Sequence, residues 1–218
     1  MSTTRSYSQL CGIATALDLV GDRWALLVVR ELVFGPQRFN DLADGLPGIG
    51  TNTLSVRLKQ LEAAGVVRRH LLPLPERGTA YELTDYGGEL RPILLALGRW
   101  GARSMNPGSS NLTARSRWLL AAMLAFHTDS RPIGTPTTWE LRLDHGTFTV
   151  VADGPALDIN TGAPDRADAV VTVADATLHR LLTRQITPGE AVADGSVTLA
   201  GDVATLDLLV DRFDFPTL

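Results

Sequence analysis

The chain has 218 residues, of which 44% are hydrophobic, and a net charge of −4 at pH 7. This length allows one large domain or two of ordinary size, and the apolar fraction excludes a disordered chain. Its longest apolar run, 118–126, is less than half a membrane span, the N-terminus lacks a signal-peptide pattern, and one cysteine excludes a disulfide framework. We therefore expect a soluble, cytoplasmic protein.

Charge is divided unevenly along the chain. Residues 1–105 carry twelve Arg or Lys and ten Asp or Glu, whereas residues 106–218 carry eight and fourteen. Local charge decides what a surface attracts, so the first half is compatible with nucleic acid despite the acidic average. Residues 106–111 (NPGSSN) are typical of a linker. We predict two domains, 1–105 and 112–218.

The first half begins with helical patterns over about 9–20, after Asp22, over 39–46 and over 51–62. A tight Pro47-Gly48 turn separates the last two, and the final helix is basic. Two short helices with this spacing predict a helix-turn-helix motif.

The helix over 51–62 has two distinct faces. Leu54, Leu58 and Leu61 cluster on one side and predict the buried stripe. The opposite side carries side chains that suit base edges and phosphates in a major groove: Asn52, Val56, Lys59 and Gln60, flanked by Thr53 and Ser55. An ordinary amphipathic helix with a solvated face is the alternative interpretation.

Two strands, 65–72 and 79–83, follow this helix, and the loop between them carries Arg77 near its tip. A two-stranded ribbon after a recognition helix predicts a wing that reaches the DNA backbone or minor groove. Thr84-Asp85 then caps a further helix. Its apolar stripe predicts a dimer contact, or alternatively packing on the second domain: Leu90, Ile93, Leu94, Leu97 and Trp100.

Several motifs occur in a characteristic order in this half: 16–24 (ALDLVGDRW), 32–42 (LVFGPQRFNDL), 46–49 (LPGI), 54–62 (LSVRLKQLE) and 81–84 (YELT). Residues 11–101 thereby resemble the HxlR family of bacterial winged helix-turn-helix transcriptional regulators. The resemblance implies a homodimer on inverted-repeat operator DNA, paired through the first and last helices of the module. We assign DNA contact to Arg38, Asn40, Thr51, Asn52, Thr53, Ser55, Val56, Arg57, Lys59, Gln60, Arg69, Arg77 and Gly78.

Cys11 has two interpretations. Members of this family commonly begin with Cys-Pro and some sense oxidants there, whereas Cys11 precedes Gly12. A lone cysteine on an apolar helix is more often a small buried hydrophobic residue, and Arg5 is the only cation near it in sequence. Redox sensing at Cys11 is therefore the weaker hypothesis.

The second half starts with a helix over 112–126 and continues with apolar residues at alternate positions. Five strands and four helices predict an α+β domain with a mainly antiparallel sheet covered by helices. We expect Asp175 and Asp202 to cap helices, and Thr187 and Glu190 to form a capping box around Pro188.

The motifs 187–191 (TPGEA) and 197–202 (VTLAGD) make residues 112–215 resemble the sterol carrier protein type two fold. That resemblance implies an apolar tunnel between sheet and helices that binds a hydrophobic molecule. Core filling is the alternative for each residue. The candidate lining residues are Trp139, Leu141, Phe148, Val150, Leu178, Leu182, Ile186, Leu206, Leu209 and Phe213.

Catalytic patterns are missing from the sequence: the four histidines lack metal-ligand spacing, and no nucleophile elbow, phosphate loop or dinucleotide fingerprint occurs. We therefore expect no enzyme, no metal and no cofactor. The sequence favours a homodimeric, ligand-responsive regulator, a repressor more than an activator, whose partners are operator DNA, a second copy and an apolar effector rather than a membrane. A thiol-sensing regulator that uses Cys11 and a lipid carrier are the alternatives.

Overall fold

The computed structural model describes residues 6–72, 78–105, 115–128 and 133–215. Contacts divide the chain into two compact units, 1–94 and 95–218. The division falls inside a helix and therefore precedes the predicted linker at 106–111, which lies outside the described residues.

The first part of the chain folds as helices followed by a small sheet. Its elements are α1 (Gly12–Val20), α2 (Ala25–Leu32), β1 (Gln37–Arg38), α3 (Phe39–Gly45), α4 (Thr51–Ala63), β2 (Val67–Leu72), β3 (Gly78–Leu83), α5 (Asp85–Gly88) and α6 (Leu90–Ala102). The buried stripe of α4 is confirmed, because Leu54, Leu58 and Leu61 are at most 1% exposed and pack in one core with Val28 of α2. Burying this stripe fixes which face of α4 remains outside.

The predicted ribbon is present as the antiparallel pair β2–β3, in which Val67 lies opposite Leu83. A third strand, β1, pairs with β3 through Gln37 and Tyr81, which the sequence analysis did not predict. Two residues are too few to produce an alternating pattern, so this strand has no sequence signal.

The helix predicted after Thr84 is divided into α5 and α6. Thr84 caps α5 as expected, since its Oγ1 accepts a hydrogen bond from the Gly87 N–H at 3.0 Å. Pro92 has no N–H to donate to the Gly88 carbonyl, so one continuous helix would lack a bond there. The apolar stripe therefore belongs to a separate helix, α6.

The second part contains α7 (Ser116–Phe126), β4 (Ile133–Leu143), β5 (Gly146–Gly154), β6 (Ala156–Thr161), β7 (Ala169–Val173), α8 (Asp175–Leu182), α9 (Pro188–Ala193), β8 (Val197–Ala200) and α10 (Val203–Val210). The five strands have the order β6-β5-β4-β7-β8. The β4–β7 pair is parallel and the other three pairs are antiparallel, so the sheet is mixed. The α+β class is confirmed.

One face of this sheet forms the core of the second part. Trp139 lies opposite Val150, and Leu141 lies opposite Phe148; all four are at most 1% exposed. Because neighbouring residues along a strand point to opposite faces, this register places an entire apolar face inside.

Two of the three caps predicted for this second part are confirmed. Thr187 and Glu190 form a capping box with Pro188 in the first turn of α9, and Asp202 accepts from the Ala204 N–H at 2.9 Å. The prediction for Asp175 is wrong, because Ala174 occupies the cap position and Asp175 is the first residue of α8. Its carboxylate is instead buried, as described below.

Candidate DNA-binding surface and effector unit

The recognition helix α4 exposes the face that the sequence assigned to DNA. Thr51, Asn52, Thr53 and Lys59 are exposed, and Val56 is 53% exposed. Side chains with donors, acceptors and one cation on the outside of a helix can read base edges in a major groove. Of the other assigned residues on α4, Ser55 and Gln60 are half-buried.

Arg57 differs from its neighbours on α4. Its side chain is 12% exposed and pairs with Asp22, and its Nη1 also donates to Gln60 Oε1 at 2.7 Å. The buried Nε of Arg57 makes no hydrogen bond within the described part of the chain. The guanidinium is therefore directed toward the α1–α2 connection, which the sequence analysis did not anticipate.

The strands of the wing also hold their basic residues in ion pairs. Arg69 Nε lies 3.2 Å from Glu62 Oε1, and Arg68 Nε lies 2.7 Å from Glu82 Oε1. Burial raises the pKa of Glu82, whereas hydrogen bonds and positive charge from Arg68 and His70 lower it. Together the lowering effects are the larger, so the pKa of Glu82 lies below its usual range. The predicted tip residue, Arg77, lies outside the described residues.

Arg38, Asn40 and Gly78 come from two segments. Arg38 precedes α3, where its N–H donates to Asp41 Oδ2 at 3.2 Å, and Asn40 is exposed on the first turn. Gly78, at the start of β3, has φ +143°, and a Cβ there would lie 2.6 Å from Arg38 Nη1. The structure thus brings Arg38 against the ribbon at the end where Gly78 pairs with Leu72.

Cys11 is exposed and stands at the N-cap of α1, so the buried interpretation is not what the structure shows. Backbone N–H groups of Ala14 and Ile13 lower the pKa of the Cys11 thiol.

Two helices expose apolar residues. Leu10, before α1, and Ile13 and Leu17, on α1, are exposed, and Leu17 is the least exposed of the three at 46%. On α6, three of the five predicted dimer residues are exposed, namely Ile93, Leu97 and Trp100. The other two, Leu90 and Leu94, are half-buried against the N-terminal core.

The ten residues assigned to an apolar tunnel are all buried, each at most 8% exposed. They come from β4, β5, α8, α10 and the segments after α8 and α10. Those on β4 and β5 lie in two opposed pairs on the buried face of the sheet. An open pocket of about 300 Å³ lies elsewhere in this unit, at the ends of β4 and β7. Its lining is mostly polar and includes Arg142, Asp144, Thr172 and Thr198.

A polar cluster around a buried carboxylate lies at the start of α8, and no sequence pattern indicated it. Asp175, 3% exposed, accepts hydrogen bonds from Ser116 Oγ at 2.7 Å and lies 2.9 Å from His145 Nδ1. The Ser116 hydroxyl donates its hydrogen bond to the Asp175 carboxylate and not to the His145 imidazole. Ser116 and His145 therefore do not form a nucleophile–base pair. The three groups join α7, the β4–β5 turn and α8.

Within the described residues, no three His, Cys, Asp or Glu side chains are placed to hold a metal ion. None of the described helices is long and apolar enough to cross a bilayer.

A recognition helix whose outward face carries polar side chains and Lys59, followed by a β-ribbon, defines a DNA-binding protein of the winged helix-turn-helix class. Residues 19–109 match the HxlR-like helix-turn-helix family, and the chain belongs to this family. Residues 121–218 match the alkyl sulfatase C-terminal family. This second match gives no support to the sterol-carrier resemblance, which stays a prediction.

Two relatives illustrate the first match. The chain is 42% identical over 94 residues to the HTH-type transcriptional regulator sll1512 of Synechocystis sp., covering 43% of this chain and 69% of that protein. It is 38% identical over 101 residues to the HTH-type transcriptional regulator YvaP of Bacillus subtilis, covering 46% and 94%. These relatives are regulators, in agreement with the expected non-enzymatic class.

Among solved structures, the reduced form of the transcriptional regulator YodB from B. subtilis is 31% identical. The match covers 46% of the present chain and all of the YodB chain, with a TM-score of 0.40.

Proposed function

We propose that this protein regulates transcription by binding an inverted-repeat operator as a homodimer. The observation that carries the proposal is the exposed face of α4, where Asn52 and Lys59 stand clear of the core beside a β-ribbon. One recognition helix per subunit requires half-sites about one helical turn, ~34 Å, or a multiple of it apart on one side of the duplex.

The test is a footprint on the DNA next to the gene, combined with sedimentation of the complex. Two protected half-sites and a dimer are expected. Protection of a single half-site by a monomer would contradict the proposal.

We propose that α1 and α6 supply the dimer contact. Each helix exposes large apolar side chains, and such exposed patches on a protein of this size mark partner surfaces. Leu97→Glu buries a charge in that contact, so it should convert the dimer to a monomer and abolish operator binding while leaving the circular dichroism spectrum unchanged.

We also propose that the C-terminal unit senses an effector, with an apolar molecule as the hypothesis from the sequence. The ten assigned residues, from strands and helices, are all buried, as the lining of an enclosed apolar site would be. Their burial means that a ligand must open this site to enter.

The full-length protein with a fluorescent fatty acid tests this idea. If a tunnel is present, Leu182→Trp should block uptake of the fatty acid with little loss of stability. The control Leu71→Trp, at an 80% exposed position, should change neither uptake nor stability. A filled core predicts no uptake and a destabilisation of about 1–3 kcal/mol by Leu182→Trp. Unchanged operator affinity in that variant would leave this unit without a regulatory role.

Thiol sensing is the second candidate function, favoured by the exposed thiol of Cys11 with its lowered pKa. Operator release by oxidant that is abolished by Cys11→Ser would support it. Equal release from both proteins would contradict it.

A further inference from the structure

The connection between α1 and α2, residues 21–24, contacts the recognition helix; we name it the corner. Asp22 forms an ion pair with Arg57, in the middle of α4. The Asp22 side chain is 62% exposed and the Arg57 side chain is 12% exposed. The ion pair therefore joins a carboxylate at the surface to a guanidinium that is largely buried beside α4. An arginine held in this way is withdrawn from the face that carries Asn52 and Lys59.

The same corner reaches the turn before α4. Trp24 is half-buried against the N-terminal core, and a Cβ at Gly48 would lie 3.9 Å from its ring. The backbone of Trp24 has φ +80°, a left-handed conformation that is rare for a bulky residue. A conformation of this kind persists only where the surrounding contacts hold it in place.

Two further contacts restrict the corner. The guanidinium of Arg23 lies 5.5 Å from the centre of the Trp24 ring. Gly21 directly follows α1, and its N–H donates to the Leu17 carbonyl oxygen at 2.8 Å. The corner is thus joined to the end of α1, to α4 through Asp22 and Arg57, and to the turn before α4 through Trp24.

From these contacts we propose that Asp22 is a positioning residue for operator recognition. By holding Arg57 it fixes the orientation of α4 relative to the corner, and Arg57 acts through this ion pair rather than on a phosphate. Because α1 ends at the corner, a movement of α1 changes the angle at which α4 enters the major groove. The proposal rests on the proposed operator binding.

The two roles of Arg57 predict opposite results for Asp22→Ala. A positioning role predicts weaker operator binding, since α4 loses its anchor. A phosphate contact predicts equal or stronger binding, since Arg57 is released and a negative charge is removed.

The experiment uses full-length protein and a duplex that the wild-type protein selects from a random-sequence pool. We expect Asp22→Ala and Arg57→Met each to lower the affinity about 10- to 100-fold, the range for a charged hydrogen bond. The double variant should be no weaker than either single variant, because both remove the same interaction. Asp44→Ala, which removes an exposed carboxylate on α3, controls for the general effect of charge.

Salt dependence separates positioning from phosphate contact. Arg57→Met should leave the slope of log affinity against log salt unchanged. Arg77→Met, at the predicted wing tip, should reduce its magnitude by about 1.8, that is 0.9 for each of two subunits. The charge-swapped variant Asp22→Arg/Arg57→Asp should recover affinity relative to Arg57→Asp alone, which a purely phosphate-binding arginine would not allow.

An affinity that is unchanged or raised by Asp22→Ala would overturn the proposal, as would a slope reduced by Arg57→Met as much as by Arg77→Met. If Arg57→Met fails to fold, Asp22→Ala decides alone, because this exposed side chain can be removed without opening the core. Failure of the wild-type protein to select any sequence would instead contradict operator binding itself.

Discussion

The two halves of the chain treat their apolar side chains differently. Every large exposed hydrophobic residue that the structure describes lies between residues 7 and 105, on α1, α2, α4, β2, α5, α6 and adjoining turns. Over 115–128 and 134–215, the described large hydrophobic side chains are buried or half-buried. Contiguous exposed apolar groups are typical of surfaces that contact another protein, so the exposed side chains of α1 and α6 agree with the proposed dimer contact.

Among the described residues, buried polar side chains are concentrated in the second half. That half buries Ser116, Glu140, Asp175 and Arg212, whereas the first half buries Glu31. Arg212 is completely buried, and its Nη2 donates to the Gly154 carbonyl at 3.0 Å. Buried polar groups that are bonded to one another hold elements in register, so in the second half they serve the fold rather than an external ligand.

The largest effect is expected from Trp139→Ala, which removes a fully buried ring and its 2.9 Å hydrogen bond to the Thr205 carbonyl. The free energy of unfolding of the full-length protein should fall by about 3–5 kcal/mol in urea titrations. A loss below about 1 kcal/mol would show that this half is not organised around the observed core.

A smaller loss is expected from Trp100→Ala, in dimerisation rather than in folding. Trp100 is 67% exposed on α6, and truncation of a central aromatic residue in an interface costs about 2–4 kcal/mol. Sedimentation equilibrium should show this loss in the dimer dissociation constant. Tyr86→Ala, at a 53% exposed position on α5, is the matched control. Equal dimer strength in both variants would remove α6 from the interface.

Asn52→Ala should relax base preference by about 1–3 kcal/mol, because one bidentate contact to a base edge is lost. The measurement is the ratio of affinities for the operator and its single-base variants. Arg77→Ala should weaken all sequences alike. The opposite pattern would reverse the assignment of α4 and the wing.

The smallest effect concerns the reactivity of Cys11. The lowered pKa of its thiol determines the direction in which the pH dependence of this reactivity should shift. The thiolate is the nucleophile, and a lowered pKa preserves it at lower pH. The rate of alkylation by iodoacetamide should therefore reach half its maximum at a lower pH in the folded protein than in the urea-unfolded protein. A midpoint at equal or higher pH would contradict the effect of the α1 N-terminus.

Local patterns were sufficient to predict most elements and part of the candidate site. The stripe of Leu54, Leu58 and Leu61 predicted which face of α4 is buried, and therefore which face is outside. The capping box of Thr187 and Glu190 marked the start of α9. The division between α5 and α6 also had a signal, Pro92, which the single-helix prediction overlooked.

The sequence by itself determined the helix-turn-helix, the ribbon and the alternating strands, because periodicity and capping depend on residues a few positions apart. Only the tertiary structure decided that Arg57 points to Asp22, 35 positions away, and that Ser116 binds Asp175, 59 positions away. The parallel pairing of β4 with β7 was decided in the same way. Such contacts arise when the chain returns on itself, and no local spacing records where a distant side chain will arrive.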